Sequence, residues 1–132
     1  MASSPSCSST DFNTNAFGPV AWHHLHTVGF SFPEDPSPAQ KEDFARFLVY
    51  FTRTLPCSDC RANFEKYIAA SFKPDTHLRS CEALSRWIFR AHNHVNAKLG
   101  KRVWPEEKFA VVRRYYTKLR DPEARASIKL VL

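Results

Sequence analysis

Glycine is scarce, with three residues in 132, and nowhere do apolar and polar residues alternate for long. Both shortages argue against an all-β fold or a dinucleotide-binding α/β sheet. No apolar run approaches the length needed to span a bilayer. Residues 1–15 are rich in Ser, Thr and Asn and lack the basic start and apolar stretch of a secretory signal, so the chain reads as soluble and not exported by the usual route. Cysteine is also sparse. Four residues are few for a disulfide-stapled scaffold, and a lone CxxC in a reducing compartment is more often catalytic or metal-binding than structural. Basic charge is short in the first half: residues 1–60 hold three Lys/Arg and six Asp/Glu, residues 61–132 sixteen and seven, giving the overall +6. The basic half either meets an anion, such as a nucleic acid, an acidic membrane surface or the phosphates of a cofactor, or is a solvated surface. Solvation accounts for most of its lysines.

What the chain does have is helical periodicity and an aromatic content of 14%. Ala21, Leu25, Val28 and Phe32 share one face of a first helix running from about Phe17 toward Phe32. Pro33, Pro36 and Pro38 then enforce a loop. Phe44, Phe47, Leu48 and Phe51 fall at i, i+3, i+4, i+7 of a second helix ending near Thr54. Phe64, Tyr67 and Ile68 mark a third, from Pro56 or Cys57 to about Ala70. Leu84, Trp87, Ile88, Ala91, Val95 and Leu99 stripe a fourth, from about Leu78 to Leu99, with Gly100 as its cap. Phe109, Val112 and Tyr116 belong to a shorter fifth between Pro105 and Leu119. The expected fold is all-α: a four-helix bundle with a short fifth helix and a cofactor between facing helices. Its expected organisation is a flexible tail over 1–15, one domain over 16–120 and a C-terminal tail over 121–132.

The stretch Leu55-Pro56-Cys57-Ser58-Asp59-Cys60-Arg61 puts two thiols two residues apart where the third helix starts. Unpaired N–H groups and the positive end of the helix dipole stabilise a thiolate there, so the pair can close into a disulfide and reopen. That is two-electron chemistry, and it needs an acceptor. A thioredoxin-like reading fits poorly, because the residues before the pair read as helix. A zinc reading remains open: Cys57, Cys60, His77 and Cys81 have a spacing close to zinc-finger patterns, and the basic half would then bind nucleic acid.

Trp22 and His26 lie one turn apart beside the first stripe, with Gly18 a turn earlier. His92, Asn93 and Asn96 lie beside the fourth. Each alone is an ordinary core or satisfied polar residue. Together the two strips could line a slot for a planar heteroaromatic, with rings on its faces and amides on its edges. Lys98 and Lys101 could reach a diphosphate.

Gly18-x3-Trp22-x2-Leu25-His26, then Leu55-Pro56-Cys57-x2-Cys60, then His92-Asn93-x-Val95-Asn96-x-Lys98-Leu99-Gly100-Lys101 resembles the Erv/ALR family of FAD-dependent sulfhydryl oxidases. The resemblance spans residues 16 to 116 and rests on three motifs in the family's order. It implies FAD at one end of the bundle, a homodimer, a thiol-bearing protein or small dithiol carrier as substrate, and oxygen as acceptor with release of peroxide. Neither nucleic acid nor a membrane span is implied. Cys60 would be the flavin-proximal sulfur, its anion favoured by Arg61 and the helix start, and Cys57 the sulfur that meets the incoming thiol. Trp22 and His26 would contact FAD, with His92, Asn93 and Asn96 on the opposite wall. Lys98 and Lys101 would lie near the ribose and pyrophosphate, and the segment ending at Tyr116 would help close the adenine pocket. Two features of many members are missing: a second, shuttle CxxC, and a disulfide closing the fifth helix onto the bundle. The chain is therefore more similar to the compact viral members. A cytoplasmic location is expected, with the mitochondrial intermembrane space as second choice.

Overall fold

The structure is a computed structural model that describes Cys7 and residues 11–125. All regular structure among these residues is helical: α1 Thr14–Ser31, α2 Pro38–Arg53, α3 Ser58–Ser71, the single turn α4 Pro74–His77, α5 Cys81–Lys98 and α6 Phe109–Lys118, the last preceded by a 3-10 turn at Glu106–Lys108. No helix of the described residues is long and apolar enough to cross a membrane. The expected all-α bundle is thus present, with α1, α2, α3 and α5 as its long members.

Each start has a local cause. Asn13 caps α1 by accepting from the Asn15 amide at 2.8 Å. Ser37 and Gln40 form a reciprocal capping box ahead of α2, with Pro38 in the first turn. Ser80 caps α5 through the Ala83 amide. At the far end of α5, Gly100 takes φ of 69°. The Gly100 amide bonds back to the Ala97 carbonyl and the Lys101 amide to that of Asn96, a Schellman closure that brings Lys101 back toward the helix it has just left.

Three expectations need correcting. The helix read from about Leu78 begins at Cys81, because Ser80 caps it there, and just ahead of it Pro74 opens a separate turn, α4, that ends at His77. α1 starts at Thr14, and Asp11 and Phe12 bond to the start of α3, so ordered structure extends into the stretch read as a tail. The rest of that stretch, apart from Cys7, lies outside the described residues, as do residues 126–132 of the expected C-terminal tail. Leu99, placed on the α5 stripe, is exposed because the chain turns away at Gly100.

The core has two parts. The larger joins Leu25, Phe44, Leu48, Phe64, Leu84, Trp87 and Ile88 from the four long helices. α1 and α5 make the most intimate pair: a Cβ on Gly29 would come within 2.7 Å of Ile88 Cδ1 and 3.4 Å of Ser85 Oγ, so glycine permits the approach. The smaller cluster, Phe30, Phe89, Phe109, Val112 and Tyr116, docks α6 onto α1 and α5.

The segment leading into α6 is fastened without sulfur. The Asn93 side chain donates to the Trp104 carbonyl at 2.8 Å and accepts from its amide at 2.9 Å, which satisfies both backbone groups. Glu106 is held by Arg90 at 2.8 Å and more loosely by Arg86. Hydrogen bonds from Arg90 lead the effects that keep the Glu106 carboxyl below its usual range. Asn93→Ala frees both Trp104 backbone groups, and urea unfolding should register a loss of about 1–3 kcal/mol. Phe109→Ala, at a side chain only 2% exposed, should cost about 3–5 kcal/mol in the same measurement.

Candidate functional site

α2 ends at Arg53, and Leu55, Pro56 and Cys57 carry the chain into α3. Cys57, in extended conformation, is the residue that caps α3, so the helix starts at Ser58, just after the Pro56 or Cys57 start read from the sequence. Cys57 and Cys60 are joined by a disulfide across the first turn. The Cys60 amide points at the Cys57 sulfur at 3.2 Å, so the helix start serves Cys57 directly. Arg61 donates to the Leu55 carbonyl at 2.6 Å, which holds a positive charge beside the loop. The two sulfurs have different surroundings: Cys57 is 8% exposed, whereas Cys60 is half-buried and opens onto a cleft.

That cleft encloses about 900 Å³ including its solvent-open part. Gly18 and Trp22 line it from α1, Phe51 from α2, Cys60, Asn63 and Phe64 from α3, and His92, His94, Val95, Asn96 and Lys98 from α5, with Lys101 just beyond. A Cβ added to Gly18 would meet nothing within 4 Å, so the space beside it is open. Trp22 stacks face to face on His92, with centroids 4.3 Å apart and planes within 7°, and meets the edge of Phe64.

Behind this wall His92 Nδ1 lies 3.0 Å from His26 Nε2. His26 is 2% exposed and its Nδ1 has no hydrogen-bond partner among the described residues. An unpaired buried acceptor costs less than an unpaired N–H, which assigns the shared proton to His26 Nε2 and leaves the His92 proton on its own Nε2. The His26 ring packs against Tyr116, whose hydroxyl reaches His23 Nδ1 at 3.3 Å. Burial pushes the Tyr116 phenol up. Burial also drives His26 well below its ordinary value, and it lowers His92 to about 3, helped by the Lys101 charge.

Of the residues singled out in the sequence, Gly18, Trp22, Cys60, His92, Asn96, Lys98 and Lys101 come together in this cleft. Cys57 borders it through the disulfide. His26 and Asn93 sit behind, around a much smaller cavity with Trp104 and Val112, and Tyr116 lies deeper against His26. The strips on α1 and α5 do not face each other across a slot, as the sequence suggested. Trp22 and His92 touch, so they form a single wall. His94, stacked on Tyr67 at 4.3 Å, and Asn63 also line the cleft and went unread because neither lies on an apolar stripe.

The zinc set is not assembled. Cys57 and Cys60 are bonded to each other, His77 Nδ1 accepts from the Lys73 amide, and the buried Cys81 thiol is turned toward the Gly29 carbonyl. No group of three or more candidate ligands gathers among the described residues.

Residues 19–116 match the model of the Erv1/Alr family. The chain belongs to this family. Among its Erv1/Alr relatives is a protein of Schizosaccharomyces pombe named mitochondrial FAD-linked sulfhydryl oxidase erv1, 34% identical over 109 residues, which are 71% of this chain and 59% of that one. An African swine fever virus protein named FAD-linked sulfhydryl oxidase is 31% identical over 94 residues, 70% of this chain and 76% of the viral one. The crystal structure of the FAD binding domain of Erv1 from Saccharomyces cerevisiae superposes with a TM-score of 0.69 at 34% identity, covering 76% of this chain and 92% of that domain. The chain spans about half the length of the cellular family members it matches.

Both buried histidines are neutral in the fold. An unfolded chain protonates His92 near pH 6.5, the folded one only near 3, so the unfolded state binds more protons across that window and stability falls as pH drops below 6.5. Between neutral pH and pH 5 His92 should account for a loss of about 2 kcal/mol. Denaturant unfolding at a series of pH values should give a shallower slope for His92→Gln; an unchanged slope would mean that the ring is not held neutral.

Proposed function

We propose that the chain is an FAD-dependent sulfhydryl oxidase that forms disulfide bonds in a thiol-bearing protein or small dithiol carrier, with oxygen as final acceptor. The observation that carries the reading is that Cys60, half of the Cys57–Cys60 disulfide, opens into a cleft walled by Trp22, His92 and Phe64 and lined by Lys98 and Lys101. The names of the relatives point the same way.

The cleft's donor set suits a flavin dinucleotide. Trp22 and Phe64 offer an apolar wall beside the sulfur, the opening at Gly18 leaves room, and the Asn96 amide offers polar contacts. The two lysine ammoniums match a pyrophosphate in sign. We assign Gly18, Trp22, His92, Asn96, Lys98 and Lys101 to direct binding. His26, Asn93 and Tyr116 act from behind: His26 orients His92, Tyr116 backs His26, and Asn93 fixes the Trp104 segment.

In the cycle, a substrate thiolate attacks Cys57 Sγ, the bond to Cys60 breaks, and Cys60 leaves as a thiolate facing the cleft. A second substrate thiol attacks the substrate sulfur of the mixed disulfide and releases oxidised substrate with Cys57 as the leaving thiolate. The Cys60 amide and the start of α3 stabilise that anion. FAD held in the cleft would supply the two-electron acceptor that the Cys57–Cys60 dithiol needs, with oxygen as the final oxidant and peroxide as its product. Cys57 then closes again onto Cys60. A homodimer completes the proposal, supported by the apolar residues Val20 on α1 and Val49 and Tyr50 on α2, all left exposed.

Protein purified after expression with ample flavin should be yellow and show the absorption of oxidised flavin; a colourless, folded product would overturn the reading. Cys57→Ser should keep the flavin and gain a broad long-wavelength band from the Cys60 thiolate, whereas Cys60→Ser should not. Identical spectra for the two variants would refute the assignment of the sulfurs. Replacing both Lys98 and Lys101 with Ala should weaken flavin retention by tenfold or more, about 1.4 kcal/mol, measured by equilibrium titration at low salt.

A further inference from the structure

The sulfur that the cycle needs to be attacked is the more enclosed of the two, and a short piece of chain brackets it. Phe12 N–H donates to the Pro56 carbonyl at 2.8 Å, and Ser58 Oγ donates to Asp11 Oδ2 at 2.7 Å. These two bonds fall on the residues immediately before and after Cys57, which is 8% exposed. The hydrogen bonds from Ser58 hold the Asp11 carboxyl below its usual range, so the seat carries a full negative charge at neutral pH. Downstream, Asn13 caps α1 in an extended conformation, which gives the segment a fixed anchor. The Phe12 side chain is 65% exposed and packs little against the domain. Residues 11–13 therefore have a firm end at α1, little apolar attachment, and two hydrogen bonds that end on either side of the reactive sulfur.

We propose that residues 11–13 form a strap that gates Cys57: a thiol reaches the sulfur only when the strap has left its seat on Pro56 and Ser58. The inference rests on Cys57 being the attacked sulfur. In-line attack on a disulfide requires an open approach along the S–S axis on the side of the attacked atom. A strap bonded at both neighbouring residues narrows that approach. Its release exposes the Pro56 carbonyl and the Ser58 hydroxyl, which an extended cysteine-bearing segment of a substrate can bond in the strap's place. The gate thereby favours substrates with an extended backbone flanking the thiol over compact small thiols, because only the former recover the two hydrogen bonds that opening costs.

The test needs neither flavin turnover nor oxygen. Oxidised protein of this whole sequence carrying Cys7→Ser, so that Cys7 contributes no thiol, is mixed with glutathione and quenched with N-ethylmaleimide at intervals. Glutathione attacks one sulfur of the pair, the other leaves as a thiolate, and maleimide caps it. The rate of adduct formation reports the strap, and peptide masses report which sulfur was attacked. Asp11→Ala and Ser58→Ala should each speed adduct formation by about fivefold, the worth of one hydrogen bond, and the double variant should go no faster than the quicker single one. Phe12→Pro, which deletes the other bond without changing charge, should also accelerate the reaction. Acceleration by Asp11→Ala with no effect of Phe12→Pro would reduce the matter to repulsion of the glutathione anion and overturn the gate. Equal rates in all proteins would overturn it as well. Buried Cys81 must stay unlabelled by maleimide in every variant, which excludes general unfolding as the source of a faster rate. An adduct on Cys60 would instead refute the assignment of the attacked sulfur, on which the inference rests, and so reads separately from the rates.

Discussion

One buried hydrogen bond, His26 Nε2 to His92 Nδ1, joins α1 to α5 where the wall of the cleft is made. His92 cannot turn without breaking it, and Trp22 is stacked on His92, so the aromatic wall facing Cys60 inherits its orientation from that bond. The bond is possible because the helices lie so close that Gly29 has no room for a Cβ beside Ile88, and because burial keeps both rings uncharged. Two cations at this spacing in an apolar interior would repel and be poorly solvated. The cleft is thus a by-product of how two helices solve a burial problem, with α3 closing it from the side and presenting a sulfur.

Much of this was legible from spacing. The faces carrying Leu25, Phe44, Leu48, Phe64, Trp87 and Ile88 are buried as their periodicity implied, and α6 buries Phe109, Val112 and Tyr116. The Cys57–Cys60 pair is read from sequence because a CxxC at a helix start has few alternative uses. What spacing could not supply was direction. Trp22, His26, His92 and Asn93 were correctly seen as flanking the apolar stripes, yet whether two flanking strips face a ligand or each other depends on helix rotation and crossing. Here the rotation brings Trp22 onto His92 and turns Asn93 away to the Trp104 backbone. The bonds of Asp11 and Phe12 to α3 left no sequence trace either. They are a main-chain contact and a single side-chain pair between residues about 45 positions apart, with no apolar pattern to announce them.

The asymmetry of the disulfide is the feature that links fold to chemistry. Cys57 is placed by its duty as the cap of α3, where the Cys60 amide faces its sulfur; Cys60, one turn on, falls where α3 meets the cleft. One helix turn therefore separates a sulfur tied to the loop and strap from a sulfur tied to the aromatic wall. The same turn that makes the bond geometrically possible assigns its two ends to different surroundings.

The fastening of the α6 segment carries a wider consequence. Asn93 and Trp104, with Glu106 and the Phe30, Phe89 and Phe109 cluster, hold that end of the bundle by amide, charge and packing. Among the described residues the reactive pair is the one disulfide. Reductant then touches the working bond and leaves the scaffold alone. The amide, charge and packing contacts that hold this end of the bundle do not pass through that bond, so opening it leaves them in place.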